Sequence, residues 1–174
     1  MRGMLNSMGV TLILSLILMA ALFLMVFSAV ALVQDRRLFT SAPKDIQEAI
    51  TVHAERFPKA RRLGWKLLVI AALAFPGVFF YGALDGIQNH YDIWMFFARF
   101  LTMLYLLKAF DIIFLDWFLL TKSRFYQHYY PETEGCAGYR QFGFNRKQQI
   151  GKILLFPYCR AAVGMDMHAV WLSG

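Results

Sequence analysis

Three ionisable residues, Lys108, Asp111 and Asp116, stand inside "YLLKAFDIIFLDWFLLTK", residues 105–122. The stretch otherwise reads as the interior of a membrane helix, where a charge is costly. Ionisable groups kept in such a setting do one of two things. They handle protons, ions or substrate, or they join helices as a structural ion-pair network. Arg99, Arg160, Asp166 and His168 belong to the same set, and Arg99, seven residues from Asp92, shares a face with it near one end of the helix. Lys108 and Asp111 are i,i+3 neighbours and share one face of an α-helix, so one partner helix can meet both.

A second group lies in "HYYPETEGC", residues 128–136. His128, Glu132 and Glu134, with Cys136 beside them, are the candidates for acid–base catalysis or for metal binding. Their spacing matches no strong metal motif, and Pro131 breaks any helix that would align His128 with Glu132. The competing reading is an ordinary turn, for which Pro-Glu-Thr-Glu-Gly is typical composition. "NHYD", residues 89–92, sets His90 near Asp92, either as a proton-handling pair or as a solvated loop. "FNRKQQIGK", residues 144–152, is basic. It suits anionic lipid headgroups or a plain positive-inside signal.

No Gly-rich phosphate loop, HExxH or nucleophile elbow occurs, and no cofactor or metal is expected. Cys136 and Cys159 form no CxxC pair, which disfavours a thiol redox enzyme.

The elements that must position these residues are legible from hydropathy. The chain has 174 residues, 59% of them hydrophobic, with a mean hydropathy of +0.47. Such composition points to membrane rather than to an ordinary soluble domain. Residues 10–33 are uncharged and exceed the roughly 20 needed to span. A signal peptide is the rival reading, with Arg2 as its basic start and Ala29-Val30-Ala31 as a cleavage site. The length of the run and the basic flank after it favour an uncleaved helix. Further spans are expected at 65–84, 93–120 and 152–172. The second holds Pro76-Gly77 and the small-residue pair Gly82 and Gly86. The fourth contains Pro157, Arg160, Asp166 and His168, and alone would insert poorly. Residues 43–57 carry Ile46, Ala49, Ile50, His53 and Phe57 at helical spacing. They predict a short amphipathic helix on the membrane surface or against the protein.

Net charge is +7. The basic residues cluster between apolar runs and no nucleic-acid motif appears, so the partner implied is the lipid bilayer, with no nucleic acid. Loops 34–66 and 121–151 are basic, whereas the loop between the second and third spans holds Asp85 and Asp92 and no Lys or Arg. Both basic loops are therefore expected in the cytoplasm and both termini outside, in the cytoplasmic membrane if the cell is bacterial.

The fold expected is all-α: a polytopic integral membrane protein, a four-transmembrane-helix bundle with one interfacial helix, forming a single domain over 1–174. Measured from the inner ends at 1.5 Å per residue, Asp111 and Arg160 lie about 13 and 12 Å deep. Lys108 and Asp166 lie about 18 and 21 Å deep. The pairs Asp111–Arg160 and Lys108–Asp166 are expected, with Asp116, about 6 Å in, reaching interfacial water or loop bases. The leading functional expectation is a non-catalytic membrane module, a subunit or an ion- or solute-handling component, working with other membrane subunits or a second copy. The alternative is an enzyme acting on a lipid or amphiphile at the cytoplasmic interface. A proton- or ion-coupled transporter using the buried Asp residues is a third.

Overall fold

An apolar segment without prolines satisfies its backbone most simply as a helix. In the computed structural model α1 runs Arg2–Phe27 and continues as a π-helical turn, Ser28–Val33. Gln34 closes it in the left-handed region and donates its N–H to Ala29 O at 3.0 Å. A 3-10 turn, Arg36–Phe39, and a short α2, Lys44–Ala49, follow. The second long helix, α3, spans Ala60–Gln88 and runs through Pro76. The third, α4, spans Ile93–Phe110 and passes directly into a π-helix, Asp111–Lys122. A short α5, Phe125–Tyr129, and 3-10 turns at Pro131–Thr133 and Ala137–Arg140 complete the described chain.

The structure describes residues 2–39, 43–51 and 57–140. The chain divides into compact units Met1–Phe142 and Gly143–Gly174, and all described residues fall in the first. Among them the fold is all-helical, with no strand. Two helices, Ser7–Val33 and Ala60–Gln88, are long and apolar enough to cross a membrane. The segment 152–172, with Pro157, Arg160, Asp166 and His168, lies outside the described residues, as do the basic stretch 144–152 and Cys159.

Two expectations change in detail. The amphipathic helix ends at Ala49 rather than at 57, because Ile50 turns to extended backbone (φ −64°, ψ 125°). The N–H of Thr51 then goes to the Glu132 carboxylate at 3.0 Å instead of to a preceding turn. Residues 52–56, including His53, lie outside the described set. The third long helix, expected to be α-helical throughout, keeps α-helical form only to Phe110.

Leu14 and Leu18 of α1, Val78 of α3 and Met103 of α4 form one buried cluster, with Leu18 and Met103 fully enclosed. Small residues let the backbones close up. A Cβ on Gly64 would come within 2.7 Å of Leu32 Cβ and 3.0 Å of the Val33 backbone nitrogen. The pair singled out by sequence acts likewise: Gly82 lies against Leu14 and Phe100, and Gly86 against the Phe96 ring.

A second cluster caps one end. Ile46 and Ile50 pack with Val30, Leu120, Tyr130 and Tyr139. The apolar stripe read on residues 43–57 is thus turned onto protein at these two positions, while Phe57 is exposed. Asp45 accepts the Gly138 N–H at 2.7 Å, and Thr51 donates its hydroxyl to Glu132 at 3.0 Å. The two basic loops are therefore stitched to each other at the same end of the helices. The outer surfaces of the helices are apolar: Leu16, Ile70, Leu73 and Phe80 are 63%, 61%, 64% and 67% exposed.

Candidate functional site

Two groupings of ionisable side chains on the long helices face inward. The first is Arg99, only 3% exposed on α4. Its Nη1 lies 2.7 Å from Asp85 Oδ2 and donates to Gly82 O at 2.9 Å. Its Nη2 donates to the Tyr91 hydroxyl at 2.6 Å, and its guanidinium carbon sits 4.5 Å from the centre of the Tyr91 ring. Tyr91 in turn donates to the hydroxyl of Ser7 on α1. One arginine thus ties all three long helices together. Nε and Asp85 Oδ2 make no hydrogen bond among the described residues. A shallow cleft of about 240 Å³ adjoins this network between α1 and α4.

The second grouping lies on the π-helix. Asp111 accepts from Lys108 Nζ at 2.5 Å, the two side chains being 30% and 16% exposed. In an α-helix Asp111 and Asp116 would point in different directions. A π-helix bonds i to i+5 and so brings residues five apart onto one face. The register is visible in Thr121, whose hydroxyl donates to Asp116 O, and in Ser123 N–H, which donates to Phe118 O at 2.7 Å. Both carboxylates consequently line one cavity of about 320 Å³. Its walls are apolar, with Leu22, Met25 and Val26 from α1, Leu68 from α3 and Leu115 from the π-helix. Ala29 and Val30 of the first π-helical turn also face it, so both π-helical segments flank the same space. Tyr126 of α5 stands at its edge. Burial first, then the charge of Asp116, holds the Tyr126 phenol well above its ordinary pKa. It therefore enters the cavity as a neutral hydroxyl.

The loop candidates do not converge. Glu132 is engaged by Thr51 through both its backbone and its hydroxyl. His128 is exposed, with its ring edge-on to Tyr129. Glu134 is exposed. Cys136 is partly buried, and burial and then Asp45 raise its thiol pKa, which opposes nucleophilic use. His90 occupies a positive-φ turn position (φ 53°), and both it and Asp92 are exposed at the helix connection. No group of three or more His, Cys, Asp or Glu side chains comes together among the described residues.

Sequence reasoning linked Arg99 to Asp92 by their shared face and missed its actual neighbours. A usable signal was present: Asp85 and Arg99 are equally far from Asp92, so an antiparallel hairpin turning there sets them at one depth. The placing of Asp111 and Asp116 on one cavity had no such signal, since α-periodicity separates them. The expected partners Arg160 and Asp166 lie outside the described residues.

No known protein family matches the chain, and no curated protein or solved structure matches it.

Proposed function

We infer that this chain is a non-catalytic integral membrane module, a four-span bundle serving as a subunit or as an ion- or solute-handling component. The observation that carries the reading is the division of its surfaces. Large apolar side chains such as Leu16, Leu73 and Phe80 face outward, more than a water-exposed surface favours, while Arg99 turns inward to Asp85, Gly82 and Tyr91. The loop acids Asp45 and Glu132 are occupied in holding the cap together, a structural task. Two helices are long and apolar enough to span, which supports the first two spans. The third, Ile93–Lys122, and the fourth, 152–172, are proposed from the charge pairing that lets such segments insert. Asp111–Arg160 and Lys108–Asp166 remain the proposed pairs for the fourth. The basic loops, packed on one another at one end, favour a cytoplasmic location for that end.

Alkaline carbonate extraction tests the core of this reading. The protein should stay with the membrane pellet; release into the supernatant would sink it.

A second reading is favoured by the cavity. An apolar space with convergent polar groups is also what an enzyme acting on an amphiphile requires. In that case Asp111 and Asp116, rather than His128, Glu132 and Glu134, are the acid–base groups. Incubating the purified protein with lipid extract and finding a product that disappears with Asp116→Asn would favour it over the module.

A further inference from the structure

We propose that the face of α3 carrying Arg62, Lys66, Ile70, Leu73 and Gly77 is a docking surface for one anionic phospholipid. The two cations hold its phosphate, and an acyl chain lies on the apolar stripe below them. This goes beyond the module reading and rests on its membrane placement.

The spacing builds the surface. The five residues fall at i, i+4, i+8, i+11 and i+15 of one α-helix and so share a face. Arg62 and Lys66 are exposed, and among the described residues neither side chain takes part in an ion pair. Side chains four apart on a helix are neighbours, with Cβ atoms about 5–6 Å apart, so two cations can meet one phosphate. Below them Ile70 and Leu73 are 61% and 64% exposed, and nothing lies within 4 Å of a Cβ on Gly77. From Lys66 to Gly77 the stripe runs about 16 Å at 1.5 Å per residue, close to half of the roughly 30 Å hydrocarbon core. Trp65, next to Lys66 in the chain, is 43% exposed at the depth where interfacial rings gather.

The surrounding charge selects an anion. Gly64 packs against Leu32 and Val33, so Arg36 and Arg37, just beyond Val33, emerge at the same end of the helices as Arg61 and Arg62. Residues 34–66 hold eight Lys or Arg against four Asp or Glu. Of those acids, Asp45 is engaged by the Gly138 N–H and Asp35 by the Arg37 N–H. A zwitterionic headgroup gains little from such a field, because its own ammonium opposes the attraction, whereas a net negative headgroup keeps it in full. A free phosphate would use the cations and leave the stripe idle, so the occupant is a lipid of the bilayer.

The test uses the purified full chain, reconstituted in an equimolar mixture of phosphatidylglycerol and phosphatidylcholine and released into native mass spectrometry. Phosphatidylglycerol should be retained at least about ten-fold more than phosphatidylcholine. The double variant Arg62→Gln, Lys66→Gln should lower that preference at least about five-fold. Arg124→Gln with Arg140→Gln removes the same charge from the other basic loop and should leave it unchanged. Arg62→Lys with Lys66→Arg exchanges the cations and should keep it. Equal retention of the two lipids overturns the proposal. So does an equal loss in the two Gln double variants, which would mean a general attraction of the basic loops rather than a site. Loss in the exchanged variant also overturns it, because disturbed folding and not charge would then explain the Gln result. Release of bound phosphatidylglycerol by millimolar glycerol 3-phosphate would reassign the surface to a free phosphate. A protein that stays in carbonate-washed membranes yet retains both lipids equally refutes this inference alone.

Discussion

Arg99 on α4 and Asp85 on α3 approach to 2.7 Å, with the arginine side chain 2% and the aspartate 16% exposed. Asp85 Oδ2 lacks hydrogen-bond geometry, and the same Nη1 is directed at Gly82 O. The contact is therefore a charge pair inside a larger clamp rather than an isolated bidentate bridge. Removing one partner strands the other charge, which typically costs about 3–5 kcal/mol in a buried setting. Arg99→Met should fall in that range, and Asp85→Asn below it because Asp85 retains some exposure. The double variant should be more stable than the sum of the singles predicts. Denaturant unfolding in detergent measures all three, and strict additivity would remove the pair from the account.

Gly64 and Gly77 lie on the same helix in opposite circumstances. A methyl on Gly64 meets Leu32 and the Val33 backbone, which cannot swing away, whereas nothing lies within 4 Å of a Cβ on Gly77. Overpacking of this kind typically costs about 1–3 kcal/mol. Gly64→Ala should therefore lower the melting temperature. Gly77→Ala should leave it unchanged or raise it slightly, since alanine is the better helix former. Equal effects at the two sites would mean that α1 and α3 are not so closely packed.

The cap depends on Ile46 and Ile50, which are 1% and 5% exposed against Tyr130 and Tyr139. Ile50→Asp places an unpaired carboxylate in that cluster. Limited proteolysis should then cut between residues 43 and 51 much faster, while thermal unfolding of the long helices changes little. If cutting is unaltered, the segment is not docked through this face.

Raised phenol pKa values make a pH prediction. Burial comes first for both Tyr126 and Tyr130. Next come Asp116 for the former and Glu132 for the latter, holding the phenols protonated beyond their ordinary range. In the unfolded chain a phenol loses its proton near pH 10, by the usual value of about 10. Between there and the folded value the folded state binds more protons, so stability falls as pH rises. Below about pH 10 the two states are alike in this respect and the tyrosines confer no slope. Melting temperatures taken from pH 8 to 11 should decline above about pH 10, and Tyr130→Phe should flatten the decline. An unchanged slope in Tyr130→Phe would assign it elsewhere.

How much of this was readable in advance follows from what each feature depends on. The long helices rest on composition, which is local, and their ranges shift only at the ends: residues 65–84 become Ala60–Gln88. The docking of Ile46 and Ile50 follows from periodicity, but the helix stops early because Glu132, far along the chain, takes the Thr51 N–H. The lining of one cavity by both Asp111 and Asp116 depends on a π-helical register that no hydrophobic pattern announces. Arg99 finds Asp85 because the chain reverses near Asp92, so hairpin symmetry carried more information than the single-helix face that pointed to Asp92.

The placement of the cap can be settled with one cysteine. Loops 34–66 and 121–151 hold the basic residues, which argues for the cytoplasmic side. They also share a core and the Asp45–Gly138 and Thr51–Glu132 hydrogen bonds, so a reporter in one reports for both. Cys136 is that reporter, partly buried and near the Asp45 carbonyl. In a Cys159→Ser background it should resist an impermeant maleimide in intact cells and react after permeabilisation. Its raised thiol pKa adds an internal check. Only the thiolate attacks, so labelling of the permeabilised sample should quicken steadily as pH is raised from 7 to 9. A pH-insensitive signal would mean a thiolate already formed at pH 7 and would contradict the raised pKa. Prompt labelling of Cys136 before permeabilisation would place the cap outside and invert the proposed topology.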